Sequence, residues 1–290
     1  MKLVSFRLPS NTHETRLGVL LADGVIDLNA AQPQVPNDLG AALWQGVDLF
    51  AAVQAAVASS APRLPLAGIE YAAPVGRPGK IICLGLNYFD HAKEGGRDKP
   101  DYPWFFFRGA TSLIAHGAAA IRPRVSERFD YEAELAVVIG KKARHLSQEH
   151  ALDCVFGYSC FNDMSVRDYQ KKTPQWTIGK NFDGTGAFGP FLLTADELPP
   201  GATGLRIQSR LNGNIMQDAN TTDMIWGVAE TIALLTECMT LEPGDVIIMG
   251  TPAGVGQART PPVWMKHGDT IEIEIDKLGV LSNPIRDEAP

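Results

Sequence analysis

The chain has 290 residues, a formal net charge of −7 at pH 7 and a sequence pI of about 5.4. Hydrophobic residues make up 45% of it, enough for one large domain with a smaller partner. An acidic chain without a lysine/arginine patch argues against a nucleic-acid surface, and we find no apolar run of membrane-spanning or signal-peptide type. The four cysteines show no metal-type pairing, so we expect reduced thiols in a cytoplasmic protein.

The first 75 residues are predicted to form a small N-terminal α+β domain. Two apolar runs between Leu17 and Leu28 flank an Asp-Gly pair, a pattern that indicates a β-hairpin. A helical stretch then extends from about Asp38 to Val57, and a Pro/Ala-rich connector ends near residue 78. Residues 76–290 form the second predicted domain.

Two residues that could form a catalytic pair on a helix, His91 and Glu94, follow the apolar run 81–84. Residues three apart on a helix are neighbours, so the carboxylate of Glu94 can orient the imidazole of His91 as a general base. The same spacing occurs on ordinary surface helices, and spacing alone favours that simpler interpretation. The polar stretch 95–100 that follows is of the kind that lets a short helix act as a lid.

Two glutamates, Glu132 and Glu134, enter a strand that becomes apolar on both faces over residues 135–139. Side chains alternate along a strand, so both carboxylates project from one face, with Cα atoms roughly 7 Å apart. By contrast, the acidic face of residues 271–276 stays acidic to its end, as in a half-exposed strand. Partly buried acids need a cation or hydrogen bonds, so the first pattern favours a metal site over solvated surface acids.

A third carboxylate, Asp163, ends the apolar run 154–162, after which the pattern becomes helical. It is either a functional side chain at a strand end or an ordinary helix N-cap. Three oxygen ligands without Cys or His would favour Mg²⁺ or Mn²⁺, with Ca²⁺ less favoured.

Short strands dominate the rest of the chain, at residues 205–211, 246–249 and 270–276. One amphipathic helix interrupts them, and Thr222 or Asp223 is its predicted N-cap. The fold class that follows is a strand-rich α+β protein.

The chain resembles the fumarylacetoacetate hydrolase (FAH) family over about residues 78–285, and five motifs in the family's order make the resemblance specific. The motifs are Gly-x-Asn-Tyr-x-x-His-x-x-Glu (85–94), Glu-x-Glu-Leu-x-x-Val-x-Gly (132–140), Asp-x-x-x-Arg-Asp-x-Gln (163–170), Trp-Thr-x-x-Lys (176–180) and Gly-Asp-x-Ile-x-x-Gly-Thr-Pro-x-Gly-Val-Gly (244–256). The resemblance implies an FAH-type mixed β-sandwich or roll, and family members commonly form homodimers.

The resemblance also implies a metal-dependent site for a small 2-oxo acid. Its metal, usually Mg²⁺ or Mn²⁺, would be held by Glu132, Glu134 and Asp163 and would act as a Lewis acid on the substrate. The catalytic pair would be His91 and Glu94, in which Glu94 orients His91 to activate water.

Lys180 matches the family's active-site lysine and would stabilise the enolate or oxyanion; otherwise it is a surface lysine. Arg167, Gln170 and Thr251 match substrate-binding positions, although pattern alone would leave all three on loops or helix surfaces. Arg108 stands where many relatives have Lys, and either binds a distal carboxylate or caps an aromatic strand.

Three functions are consistent with these residues. The leading one is hydrolysis of a carbon–carbon bond in an acylpyruvate-like 1,3-diketo acid. The alternative is an isomerase, tautomerase or decarboxylase of a 2-oxo (di)acid such as 2-hydroxyhepta-2,4-diene-1,7-dioate or oxaloacetate, which needs no attacking water. A non-catalytic family member that binds small molecules or partners is the third, and the intact carboxylates and lysine argue against it.

Overall fold

The computed structural model of this chain describes residues 1–94, 96 and 100–289. Most of the predicted lid segment 95–100 lies outside the described residues.

The described residues form nineteen strands and seven α-helices, joined by turns and short 3₁₀ segments. The strands are β1 (Lys2–Leu8), β2 (Asn11–Leu21), β3 (Gly24–Asp27), β4 (Arg63–Leu64), β5 (Glu70–Ala72), β6 (Ile81–Gly85), β7 (Trp104–Arg108), β8 (Leu113–Ala115), β9 (Ala120–Arg122), β10 (Phe129–Asp130), β11 (Ala133–Ile139), β12 (Val155–Asp163), β13 (Ser165–Val166), β14 (Gly186–Thr194), β15 (Arg206–Leu211), β16 (Asn214–Asn220), β17 (Val246–Ile248), β18 (Thr270–Ile275) and β19 (Gly279–Asp287). The helices are α1 (Leu28–Ala31), α2 (Leu39–Trp44), α3 (Leu49–Ala58), α4 (Phe89–Glu94), α5 (Arg167–Gln170), α6 (Thr177–Lys180) and α7 (Val228–Cys238).

Two mixed sheets pack face to face. The larger has twelve strands, of which ten follow the order β4-β3-β2-β1-β14-β12-β11-β17-β6-β7, while β5 pairs with β1 and β8 with β14. The smaller has five strands in the order β16-β15-β18-β19-β9, and it packs on β11, β12 and β14. This arrangement confirms the predicted strand-rich α+β fold.

Strand β11 lies in the middle of the large sheet and is buried along its whole length. Leu135 and Val137 belong to the core shared with the small sheet, whereas Ala136 and Val138 belong to the core shared with α2 and α3. The alternation confirms a strand that is apolar on both faces, and it puts Glu134 on the side of Ala136.

The N-terminal segment contains the predicted hairpin, in which Leu21 pairs with Gly24. The predicted helix over residues 38–57 is instead two helices, α2 and α3. Gly46 has a φ of +67° between them, and the side chain of Asp48 caps α3 by accepting from Ala51 N at 2.9 Å. Because β1 pairs with β14, the N-terminal strands extend the large sheet; a domain boundary near residue 75 stays a prediction.

The later strands occur as predicted, but the amphipathic helix begins later than expected. Asn220 caps a 3₁₀ turn that contains both Thr222 and Asp223, and α7 begins only at Val228 with Gly227 as its N-cap. Thr222 and Asp223, which the sequence suggested as caps of the helix, therefore belong to the turn before it.

Candidate active site

Three carboxylates converge where β11 and β12 lie side by side. Glu132 precedes β11, Glu134 lies within it, and Asp163 ends the antiparallel β12, with Asp163 N donating to Glu132 O at 3.0 Å. One oxygen from each side chain lies within 4.8 Å of the other two. All three residues are buried, with at most 5% of their surface exposed. Antiparallel pairing thus brings together residues that are about thirty positions apart in the chain.

Two cations that line the cavity neutralise part of this charge. The ammonium nitrogen of Lys180 lies 2.5 Å from Glu132 Oε2 and 2.6 Å from Asp163 Oδ2, and Arg167 Nη2 lies 2.7 Å from Glu132 Oε1. Burial favours the neutral form of Glu132, but Arg167, Lys180 and His91 outweigh it and lower the pKa of this carboxyl to about 2. Burial likewise opposes the charge on Lys180, whose pKa is nevertheless raised by Asp163 and Glu132.

Glu134 forms no ion pair with the described side chains, although the nearby charge of Lys180 favours its ionised form. It accepts a hydrogen bond from Gly250 N at 2.6 Å, while burial raises its pKa and the negative charges of Asp163 and Glu132 raise it further. Three close carboxylates, one of them without an ion-pair partner among the described side chains, fit a hard divalent cation, and they offer oxygen ligands only. The site therefore suits Mg²⁺ or Mn²⁺, with Ca²⁺ also compatible in donor type.

Arg108, for which the sequence left open contact with a distal carboxylate or a cap on an aromatic strand, is not among the residues that line the cavity. Its side chain has no exposed surface and forms an ion pair with Asp163 Oδ1. It also donates to Ser112 Oγ at 3.2 Å and to Thr185 Oγ1 at 2.9 Å. All three partners are buried, so the guanidinium at the end of β7 is held in the protein interior and is not among the groups that line the cavity.

Helix α4 brings His91 and Glu94 together at the cavity wall. His91 Nδ1 lies 3.3 Å from Glu94 Oε2, and Glu94 Oε1 accepts from Gly254 N at 3.0 Å. Their side chains are 12% and 22% exposed. An Nδ1 that donates to Glu94 leaves Nε2 as the basic nitrogen of the ring.

The glycine-rich segment 250–257 connects these groups through its backbone. Its amide nitrogens donate to three carboxylates on three different elements: Gly250 to Glu134, Gly254 to Glu94, and Gly256 and Gln257 to Asp130. Gly250 has a φ of +85°, and a Cβ at this position would lie 2.7 Å from the Cβ of Asn87. Glycine is required there by both conformation and space.

A cavity of 710 Å³ opens above the carboxylates. Its lining includes the expected site residues His91, Glu94, Glu132, Glu134, Arg167, Gln170, Lys180 and Thr251. Arg167 donates to Gln170 Oε1 at 3.0 Å, so these two are held together. Aromatic side chains, Trp104, Phe106 and Trp176, form an apolar wall. A cavity with convergent polar groups and an apolar wall is of the kind that binds small molecules.

Two contacts at this site were not predicted from the sequence. Asp130 accepts from Arg167 Nε at 2.8 Å and from the glycine-rich segment, so it supports the arginine that pairs with Glu132. Gln217 donates to Thr251 Oγ1 at 2.7 Å. Asp130 stands next to the glutamate motif, which was the available signal; Gln217 carried none, because its contact depends on how the two sheets pack.

The profile of the fumarylacetoacetate (FAA) hydrolase C-terminal family matches residues 80–286 of this chain. The chain therefore belongs to the FAH family. This confirms the resemblance that the five motifs indicated.

Individual relatives are similar along nearly the whole chain. The human mitochondrial oxaloacetate tautomerase FAHD2A is 39% identical over 289 residues, which cover 98% of this chain and 91% of that protein. The structure of fumarylacetoacetate hydrolase from psychrophilic Exiguobacterium antarcticum has a TM-score of 0.85 and 34% identity, covering 99% of this chain and all of that one. Maleylpyruvate hydrolase from Sphingobium sp. SYK-6, in complex with manganese(II) and pyruvate, has a TM-score of 0.82 and 30% identity, with full coverage of both chains.

These relatives are enzymes, and one of them is in complex with a divalent metal and a 2-oxo acid. None of the described helices is long and apolar enough to cross a membrane. The human relative is named as mitochondrial, so a cytoplasmic location for this chain stays a prediction, as does the homodimer.

Proposed function

We propose that this protein is a divalent-metal-dependent enzyme that interconverts the keto and enol forms of a 2-oxo diacid of the oxaloacetate type. The observation that carries the proposal is the buried group of three carboxylates beneath a cavity that also contains Lys180 and Arg167. Similarity to an oxaloacetate tautomerase over 98% of the chain supports tautomerisation ahead of the hydrolysis that the motifs alone favoured.

Glu132, Glu134 and Asp163 would hold the metal, Mg²⁺ or Mn²⁺. When bound, the ion supplies Lewis-acid chemistry toward the carbonyl and carboxylate oxygens of a 2-oxo acid. Because at most 5% of each residue is exposed, the three carboxylates are largely screened from bulk water.

Tautomerisation moves one proton between C3 of the diacid and its 2-oxo oxygen. Lys180, fixed by Glu132 and Asp163, is a cation suited to stabilise negative charge on that oxygen. His91, held at Nδ1 by Glu94, is the group in the cavity best suited to accept and return a proton.

The remaining polar groups of the lining suit the carboxylate of a 2-oxo acid. Thr251 offers a hydroxyl, Arg167 a guanidinium and Gln170 an amide, and all three line the cavity. Arg167 is already paired with Asp130 and Glu132, so it would contribute mainly charge and shape.

Hydrolysis of an acylpyruvate is the second candidate. The specific observation in its favour is the pair formed by His91 and Glu94, which is the arrangement needed to activate a water molecule. The maleylpyruvate hydrolase neighbour, at 30% identity, supports the same reaction.

The test is a direct comparison of the two reactions with Mg²⁺ and with Mn²⁺. The decay of enol-oxaloacetate absorbance is followed with and without protein, because the free metal itself promotes enolisation. The same protein is then given a panel of acylpyruvates, and release of pyruvate is measured. Acceleration of enol decay beyond the metal-only rate is expected. Cleavage of acylpyruvates without that acceleration would make hydrolysis the function. If neither activity is observed, both proposals are rejected.

A further inference from the structure

Gln217 connects the strand of the proposed metal ligands to the turn that contains Thr251. This residue of β16 is 1% exposed. Its Oε1 accepts from Ala133 N at 3.0 Å and from Ser209 Oγ at 2.9 Å. Its Nε2 donates to Thr251 Oγ1 at 2.7 Å and to Pro252 O at 2.8 Å. The amide therefore uses both of its ends.

Two backbone groups determine which way this amide points. The N–H of Ala133 can only donate, so the atom facing it must be the oxygen of Gln217. The carbonyl of Pro252 can only accept, so the atom facing it must be the nitrogen. In the reversed orientation the side-chain NH₂ would face the N–H of Ala133, and the side-chain oxygen would face the carbonyl of Pro252. The side-chain nitrogen thus has one hydrogen for Pro252 and one for Thr251.

This orientation decides what the hydroxyl of Thr251 can do. Because its oxygen accepts from Gln217, its own hydrogen is available to another acceptor. Within the described part of the chain, no hydrogen bond uses that hydrogen, and Thr251 lines the cavity. The hydroxyl is thereby prepared to donate to a negatively charged group in the cavity.

We propose that Gln217 is a positioning residue that presents the Thr251 hydroxyl as a hydrogen-bond donor to the carboxylate of a bound 2-oxo acid. The inference rests on the proposed function. Ala133, which anchors the amide, stands between Glu132 and Glu134. Gln217 therefore also fixes the position of the hydroxyl relative to the carboxylates that would hold the metal. One substrate carboxylate could then accept from the hydroxyl and also bind the metal.

The experiment measures pyruvate affinity by calorimetry at saturating Mg²⁺, with Mg²⁺ affinity determined separately. Thr251→Val should weaken pyruvate binding roughly 10-fold or more, the cost of a hydrogen bond to a charged group. Gln217→Met should weaken it by at least about threefold, because the freed hydroxyl then samples about three staggered positions. In the Thr251→Val background, Gln217→Met should have almost no further effect on pyruvate, since the group it positions is gone.

Gln217→Glu is the sharper variant, because it keeps the shape and replaces the donor nitrogen with oxygen. Whether ionised or protonated, that oxygen can accept the Thr251 hydrogen and withdraw it from the cavity. Pyruvate binding should then fall about as far as in Thr251→Val, roughly 10-fold. Gln208→Met, at a buried glutamine on neighbouring β15, is the matched control and should leave pyruvate affinity unchanged.

The outcomes separate this inference from the proposed function. A wild-type protein that binds neither Mg²⁺ nor pyruvate would reject the proposed function itself. If wild type binds both, unchanged pyruvate affinity in Gln217→Glu would overturn the role of Gln217. If Gln217→Met lowers pyruvate affinity equally in the wild-type and Thr251→Val backgrounds, the role of Gln217 is also overturned, because the residue would then act through the general structure of the protein. Circular dichroism and thermal unfolding establish that each variant is folded before it is compared.

Discussion

Arg108 and Asp163 form an ion pair from which water is excluded, with side chains 0% and 1% exposed. Removing one partner of a buried pair leaves the other charge without compensation. We expect Arg108→Met to lower the free energy of unfolding of the metal-free protein by about 3–5 kcal/mol, and Mg²⁺ to restore part of the loss. Urea unfolding with and without Mg²⁺ measures both effects.

Arg206→Met is the control for this prediction, because Arg206 forms a solvent-exposed pair with Asp218 and its loss should change stability little. Equal effects of the two substitutions would contradict the buried role of Arg108. The structure also predicts that Arg108→Met impairs diacid and neutral acylpyruvate substrates to the same extent, since the side chain does not reach the cavity.

Glu134→Gln and Asp163→Asn are expected to weaken Mg²⁺ binding. Each removes a negatively charged oxygen from a group whose members lie within 4.8 Å of one another. Loss of an outer-shell partner alone typically costs roughly 10–100-fold in metal affinity, so loss of a ligand should cost at least as much. Isothermal titration calorimetry gives the affinities, with exposed Glu149→Gln as control. Undiminished Mg²⁺ binding in both variants would reject the ligand assignment.

His91→Ala should distinguish the two candidate reactions. If His91 activates water, its loss should slow acylpyruvate cleavage by roughly 10²-fold or more, whereas oxaloacetate decarboxylation, which needs only the metal and a stabilised enolate, should suffer less. A proton-transfer role in tautomerisation predicts a comparable loss in the enol-decay assay. All three assays are performed on wild type and variant after Mg²⁺ affinity has been shown to be equal. Unchanged rates of acylpyruvate cleavage and of enol decay would remove His91 from the mechanism.

Glu94→Gln tests whether the carboxylate orients the His91 ring. Glu94 faces His91 Nδ1 and also holds the glycine-rich segment through Gly254 N. The amide keeps most of the shape but loses the charge that orients the ring, so kcat should fall while Mg²⁺ affinity stays the same. A variant whose kcat and pH profile match those of the wild type would show that His91 acts without this partner.

His116 is expected to contribute a pH dependence of stability away from the active site. Its Nδ1 accepts from Ser282 N at 3.1 Å, its ring packs edge-on against Tyr71, and burial lowers its pKa below the usual value of 6.5. Below pH 6.5 the unfolded chain binds this proton more readily than the folded one does. Stability should therefore decrease as the pH falls, by at most about 1.4 kcal/mol per pH unit from this group.

The measurement compares urea unfolding of wild type and His116→Gln between pH 7.5 and about pH 5, the range below the unperturbed histidine pKa. The wild type should lose more stability than the variant over this range, and NMR titration of the ring should give a midpoint below 6.5. Identical pH slopes would show that the ring is as easily protonated in the folded state as in the unfolded one.

The sequence by itself determined the parts of this protein that depend on near neighbours. Alternation along β11 predicted a strand buried on both faces with Glu132 and Glu134 on one side, and the Asp-Gly pair predicted the first hairpin. Ordered motifs identified the family, which the profile match confirmed. These features are readable because strand periodicity and turn chemistry are set within a few residues of chain.

Tertiary structure alone decided which charged and polar side chains meet. Arg108 and Asp163 are 55 residues apart, and Gln217 and Thr251 are 34 apart; no local pattern relates the members of either pair. The direction of the Arg108 side chain depends on what surrounds the end of β7, and the orientation of the Gln217 amide depends on backbone groups from two other segments. Such contacts follow from sheet packing and from the need to satisfy buried polar groups, which act across the whole chain.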